Sequence, residues 1–388
     1  MAKRIIVCGA GLAGLNAARN LVNLGFEVEV LEKEAHVGGR VTTDYVDGFT
    51  LDLGFQVVNP KYSELRRTGI LRQLELASLP KGVDLRIGTE TFRIGDFRKS
   101  LSYLSDDLRG STGALRDKLE FVKYLLRPTQ DITFGEAAAN FPSFFELSLK
   151  PFLDGVFLSD SNLVSNRVAR DLIGWFLKGS PSLVSGGIAE LPKALSAGLS
   201  IRHNVIVEKV TANAVTTSSG AFEADAVVVA LDPISSSKIL DLPKPEMNRS
   251  TTWYFKIGRE EIESDHLRVG GIGPITNSLV LSNLLPSSAP VSTGLLQATT
   301  LIDSTESTIR QHLSYIWDRD TSKWEVIARY EIPNALPFHA PGKGLIESAK
   351  LANGVFVAGD WRNIPAQQGA LLSGRLAARA VSAQLSAR

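Results

Sequence analysis

Three glycines and one acid near the start of the chain have the types and spacing of a site for phosphate and sugar. Gly9, Gly11 and Gly14 stand in the run Gly9-Ala10-Gly11-Leu12-Ala13-Gly14. Glu32 follows about 20 residues later. Gly9 lets the backbone turn sharply, Gly11 presents no side chain to a pyrophosphate, and Gly14 permits close packing of helix on strand. A helix that begins at Leu12 and Ala13 offers free N–H groups and a partial positive charge to phosphate oxygens. The Glu32 carboxylate is suited to accept hydrogen bonds from ribose hydroxyls, and Lys33 beside it is a further candidate contact.

These residues need a strand, a turn, a helix and a second strand to position them, and the pattern supplies all four. Ile5, Ile6 and Val7 form a short apolar run, and Leu15, Ala18, Leu21 and Val22 recur at helical spacing. Gly25 closes the helix, and Glu27-Val28-Glu29-Val30-Leu31 reads as the second strand. Such a unit binds the ADP half of a dinucleotide.

The residues after the acid choose between dinucleotides. Gly38, Gly39 and Arg40 follow Glu34-Ala35-His36-Val37. A nicotinamide site needs no second glycine pair with an arginine, whereas a flavin site uses close backbone approach and a guanidinium fork at the diphosphate. A second dinucleotide unit is not expected, because Gly270-Gly271-Ile272-Gly273-Pro274 reads as a turn.

The runs GAGLAG, VEVLEKEAHVGGR and DGFTLDLGFQVV resemble the amino-terminal signature of the flavin amine oxidase, protoporphyrinogen oxidase and phytoene desaturase superfamily. The resemblance implies that Gly39, Arg40, Gly54, Phe55, Gln56 and Val57 approach the flavin. Near the other end, Val355-Phe356-Val357-Ala358 leads to Gly359 and Asp360, and Ala366 to Val381 reads as a helix rich in small residues. By the same resemblance, Asp360 bonds the ribityl chain, Gln367 lies among backbone contacts to the flavin, and the helix start faces the flavin carbonyls. Val207, in a group of short strands over residues 199–233, takes the place of the adenine contact. Pro151 to Leu158, Ser165-Asn166-Arg167 and Asn334-Ala335-Leu336-Pro337 are similar to segments of the short bacterial and plastid FAD-dependent oxidoreductases.

The implied fold class is α/β: a Rossmann-like FAD-binding domain of the GR2 flavoprotein type with an inserted α+β substrate domain. The expected FAD-binding segments are 1–70, 186–235 and 345–388. The expected substrate segments are a helical cap at 71–185 and an antiparallel sheet at 236–344. Aromatic residues between Phe121 and Phe176 suit an apolar or planar substrate, and Trp361 and Trp175 are candidate pocket residues.

The bulk numbers agree with a soluble enzyme. The chain has 388 residues, 44% hydrophobic and 21% charged, with a net charge of +1. That charge gives no electrostatic argument for nucleic acid or an anionic membrane, although peripheral membrane contact is left open. No apolar run approaches the roughly 20 residues of a membrane span. Met1 leads almost directly into the first strand, with no room for a signal peptide, so a cytoplasmic protein is expected. Cys8 is the only cysteine, the five histidines are scattered without ligand spacing, and no metal is expected.

The expected activity is that of an FAD-dependent oxidoreductase of desaturase or oxidase type. It would move a hydride from a hydrophobic organic substrate to flavin N5, with oxygen or a quinone as electron acceptor. Gln367 and Gln368 stand where many amine oxidases carry an aromatic residue, which disfavours an aromatic cage for an amine. No cysteine or histidine stands where covalent attachment is expected, so the FAD is expected to be non-covalent. Hydride transfer needs orientation more than proton transfer, and no catalytic side chain is assigned. Three readings stay open beside this one: an amine oxidase, a redox-neutral isomerase using reduced flavin, and a flavin-bound protein with a binding role.

Overall fold

The computed structural model describes residues 2–95, 110–270 and 273–387. Gly271 and Ile272 of the expected turn lie outside the described residues; the strands on either side, Leu267–Gly270 and Ile275–Val280, pair antiparallel.

The amino-terminal unit folds as β1 (Arg4–Cys8), α1 (Leu12–Asn23) and β2 (Glu27–Leu31). Alternation along β1 sends its side chains to two cores. Ile5 and Val7 join α1 and the last helix, Gln367–Ser386, while Ile6 and Cys8 face Val205, Val207 and Trp361 on the other side. A strand covered on both faces must be apolar at every position, which explains the unbroken run. β1 is central in a parallel sheet of five strands. Their spatial order is Phe356–Val357, Ala226–Val229, β1, β2 and Ser200–Arg202. A three-stranded antiparallel meander, Val207–Val210, Ala214–Thr217 and Gly220–Glu223, covers one face of this sheet. The last helix lies across α1, and a Cβ on Gly374 would fall 2.1 Å from the Ala13 carbonyl oxygen. Its small residues are what bring the two helices so close.

A second sheet holds seven strands: Glu325–Pro337, Met247–Gly258, Thr293–Thr300, Ile275–Val280, Leu267–Gly270, Gly82–Ile87 and Glu90–Gly95. One face packs on the helix Glu306–Trp317 through Phe255, Leu296 and Ile309. The other face carries Tyr254, Leu279 and Leu295 toward Phe49 and Leu51 of the hairpin that precedes Gly54. The sheet corrects one expectation, because segment 71–185 is not wholly a helical cap. Gly82–Ile87 and Glu90–Gly95 lie within it and extend the sheet, Gly82–Ile87 pairing parallel with Leu267–Gly270. The helices of that segment pack around Phe134, Phe141, Phe145 and Phe157, all buried. With Tyr124, half of the ten aromatic residues from Phe121 to Phe176 are therefore buried core.

Candidate active site

The glycine turn closes as its residue types require. Gly9 has φ +103°, and a Cβ there would sit 2.5 Å from the Ala230 carbonyl oxygen. A Cβ on Gly14 would sit 1.9 Å from the Gly9 carbonyl oxygen. At both positions the fold itself demands glycine. Gly11 is different. Its backbone is extended (φ −73°, ψ 176°), and the nearest atom to an added Cβ is the Gly38 carbonyl oxygen at 4.0 Å. Protein packing leaves this glycine unexplained, because no protein atom fills the space in front of it.

Gly38 and Gly39 form the opposite wall. Gly11 and Gly38 make a parallel bridge, the Gly38 N–H donates to the Ala10 carbonyl at 2.9 Å, and a Cβ added to Gly39 would sit 3.7 Å from the Gly11 Cα. α1 begins at Leu12 with no side-chain cap and no acid in its first turn. The first N–H groups, at Leu12, Ala13 and Gly14, are thus available to an anion.

Glu32 is 6% exposed. One carboxylate oxygen accepts from the Ala10 N–H at 2.7 Å, and the other from the Glu34 N–H at 3.0 Å. Each oxygen keeps a second lone pair for a ribose hydroxyl. Lys33 is exposed and approaches Glu34 at 3.7 Å. Val207 is buried with Val205 and Trp361 on the meander side of the sheet.

Arg40 and Asp360, 320 residues apart, meet at 2.6 Å. The other end of the guanidinium donates to the Ala335 carbonyl at 2.9 Å. Gln56 donates from its amide to the Arg40 and Leu53 carbonyls, and Gln367 donates to Val57 at 3.2 Å. Gly54, at φ +93°, carries the chain into this loop, and Phe55 and Val57 are half-buried beside Tyr254. Gly359 donates to Ser373 of the last helix at 3.0 Å. The structure thus brings Arg40, Gln56, Val57, Gln367 and Asp360 to one place. Gln367 Oε1 and Asn363 Nδ2 are buried without a partner, which suits a polar ring that needs both donors and acceptors.

The two tryptophans are not brought together. Trp361 is 4% exposed and packs among Ile6, Val207, Val229 and Val357. Its indole lies beside Gly359, where a Cβ would come within 2.5 Å of the ring. The pocket assignment for Trp361 is corrected: the short helix at Asp360–Arg362 turns this side chain back into the core of the parallel sheet. Trp175 stands edge-on to Tyr62 at 5.6 Å and donates to Asp171 at 3.1 Å, against the cofactor-side core. Half-buried there, it lies apart from Trp361, on the other side of the parallel sheet.

Four neighbours of the site carry weak sequence signals. The Ala335 carbonyl lies near the end of the long strand Glu325–Pro337, and the Lys343 ammonium belongs to the strap that follows it. Lys343 donates to the Trp361 carbonyl at 2.9 Å, and burial, the main cause, lowers its pKa while Glu347 opposes the shift. Asn363 and Gln368 are ordinary polar residues by type. Ala335 carried a cue in its place in the Asn334-Ala335-Leu336-Pro337 segment, and Gln368 one in its place beside Gln367.

The chain matches the family model of flavin containing amine oxidoreductases over residues 12–382. Polyamine oxidase 3 of Oryza sativa subsp. japonica is 28% identical over 265 residues, covering 58% of this chain and 51% of that protein. The match therefore spans about half the length of that relative. A zeta-carotene-forming phytoene desaturase of Myxococcus xanthus is 52% identical over 56 residues, 14% of this chain and 11% of that one. The crystal structure of an oxidoreductase from Methanosarcina mazei superimposes with a TM-score of 0.75 at 17% identity, covering 99% of this chain and 100% of that chain. At that identity the likeness concerns the fold. No helix among the described residues is long and apolar enough to cross a membrane. The glycine cradle, the convergent Arg40–Asp360 loop and the match along nearly the whole chain lead to one conclusion: the protein belongs to the flavin containing amine oxidoreductase family.

Proposed function

We propose that this protein is an FAD-dependent oxidoreductase that removes a hydride from an apolar organic substrate, in the manner of a desaturase or oxidase. The observation that carries the reading is the apolar meeting point beside the cofactor loop. Phe55 and Val57 of that loop and Phe152 of the helix Lys150–Phe157 pack against one cluster, and Phe152 also touches the helical core. Phe152 stands edge-on to Phe176 at 5.4 Å. Half-buried aromatics between two inserted regions favour a substrate without charge.

FAD, when bound, supplies the two-electron acceptor; the substrate loses a hydride and a proton, and oxygen or a quinone takes the electrons onward. The residues of the chain bind and orient. Gly11, Gly39 and the first turn of α1 hold the diphosphate, and Glu32 holds the adenine ribose. Val207 belongs to the wall on the adenine side. Arg40 and Asp360 fix the middle of the cofactor, and Gln56, Val57 and Gln367 fix its ring. Segments 1–70, 186–235 and 345–388 form the cofactor unit, and segments 71–185 and 236–344 form the substrate unit.

The test is anaerobic reduction of the FAD-loaded protein, followed by flavin absorbance. Apolar unsaturated or partly saturated hydrocarbons are compared with linear polyamines. Bleaching by the apolar set alone supports the proposal. Bleaching by polyamines alone replaces it with amine oxidation.

A further inference from the structure

A second polar cavity lies on the back of the cofactor unit, away from the Arg40–Asp360 pair. α1, the short helix Ser63–Thr68 and the last helix enclose about 70 Å³ between them. Asn16, Arg19, Arg67 and Arg375 line it with Glu64. By volume it accommodates several water molecules or roughly one tetrahedral oxyanion.

The wall is built, not accidental. Glu64 is 4% exposed and Asn16 is 3% exposed. Arg375 grips the Glu64 carboxylate with two donors at 2.6 and 2.8 Å, and Gln368 accepts from the Glu64 backbone N–H at 3.0 Å. The same Gln368 donates to Ser63 at 2.9 Å, so the short helix is pinned to the last one. Three guanidiniums surround one carboxylate, which leaves an excess of two positive charges. Their donors are not used up. Arg375 uses Nε and Nη2 and keeps Nη1. Arg19 makes only long contacts, 3.3 and 3.5 Å, with the Leu195 and Ala197 carbonyls. Arg67 approaches Glu64 at 3.5 Å while its side chain stays 65% exposed.

We infer that this cavity binds a phosphate group, either as the free ion or as the head of a phosphate monoester. Guanidinium forks match phosphate oxygens in geometry, and a dianion balances the excess charge. The exposed side at Arg67 leaves room for an ester substituent to point into solvent. α1 and the last helix both begin at the cofactor site, so phosphate held between them ties the two helices together farther along. This site does not depend on the substrate reading.

The experiment uses FAD-loaded protein with excess FAD removed, so that the start of α1 is already occupied. Inorganic phosphate and glycerol phosphate are titrated at constant ionic strength against acetate, with binding followed by calorimetry and melting temperature. Saturable binding of phosphate but not acetate is expected, with a rise in melting temperature. Arg67→Ala and Arg19→Ala are expected each to weaken it at least tenfold while flavin absorbance is retained. Binding of both phosphates assigns the site to monoesters as well, and binding of the inorganic ion alone assigns it to free phosphate. The inference fails if neither phosphate binds saturably, if acetate binds equally, or if both variants bind phosphate like wild type.

Discussion

Gly11→Ala and Gly14→Ala should separate cofactor binding from folding. At Gly14 an added methyl collides with the Gly9 carbonyl oxygen at 1.9 Å, so α1 must lift off the turn. Overpacking of this kind costs about 1–3 kcal/mol, with or without cofactor. At Gly11 the backbone already has a conformation open to any residue, and nothing in the protein lies nearer than 4.0 Å. Alanine there should leave the cofactor-free protein as stable as wild type, or about 0.4–1 kcal/mol more stable, because the unfolded chain loses freedom. FAD binding should suffer instead. The methyl occupies the approach to the first N–H groups of α1. Losing two charge-assisted hydrogen bonds at about 1.5 kcal/mol each gives about 3 kcal/mol. That is roughly a 100-fold loss of affinity. The assay pairs urea unfolding of flavin-stripped protein with an FAD titration followed by flavin fluorescence. If Gly11→Ala destabilises the stripped protein as much as Gly14→Ala, the glycine serves packing. If its FAD affinity stays within about twofold of wild type, the phosphate assignment is wrong.

Trp361→Ala should lower stability by about 3–5 kcal/mol as a core truncation, read as a drop in melting temperature of the flavin-stripped protein; an unchanged melting temperature would return Trp361 to the pocket. Asp52 accepts from the Thr43 hydroxyl at 2.7 Å and the Ile188 N–H at 2.9 Å, and burial raises its pKa from 3.8 to about 6. The folded state therefore holds this proton longer than the unfolded chain, and stability should fall as pH rises from about 4 to about 7. The ceiling is about 3 kcal/mol, reduced by partial solvent contact, and Asp52→Asn should flatten the slope between unfolding curves at pH 5 and pH 8. An identical slope in the variant would assign the pH dependence elsewhere. Burial pushes the Cys8 thiol up to about 12, so native protein should resist alkylation and acid should release all of the flavin. Flavin that stays attached after acid would show a covalent link.

β1, α1 and β2 were legible because each depends on neighbours in sequence. An apolar run, a helical repeat and three glycines define the turn, and Glu32 follows at the end of β2. The same local logic revealed the strand and glycine before Asp360. The pairing of Arg40 with Asp360 was not legible, since it joins residues 320 apart. Sequence marked each as a cofactor residue; only the closed fold made them partners and set the Ala335 carbonyl beside them. Trp361 shows the same limit at short range. Its type suits a pocket or a core, and the turn at Asp360–Arg362 chose the core. The strands Gly82–Ile87 and Glu90–Gly95 pair with each other across Gly88 and Thr89, a local hairpin that the helical reading of this segment passed over, while their place in the large sheet was decided by Leu267–Gly270, which lies far along the chain. A helix is held by bonds within itself, so its pattern is written locally, whereas a strand exists only where another strand meets it. Cofactor-binding elements were therefore readable from residue order, while the surroundings of the substrate were decided by which distant segments closed over them.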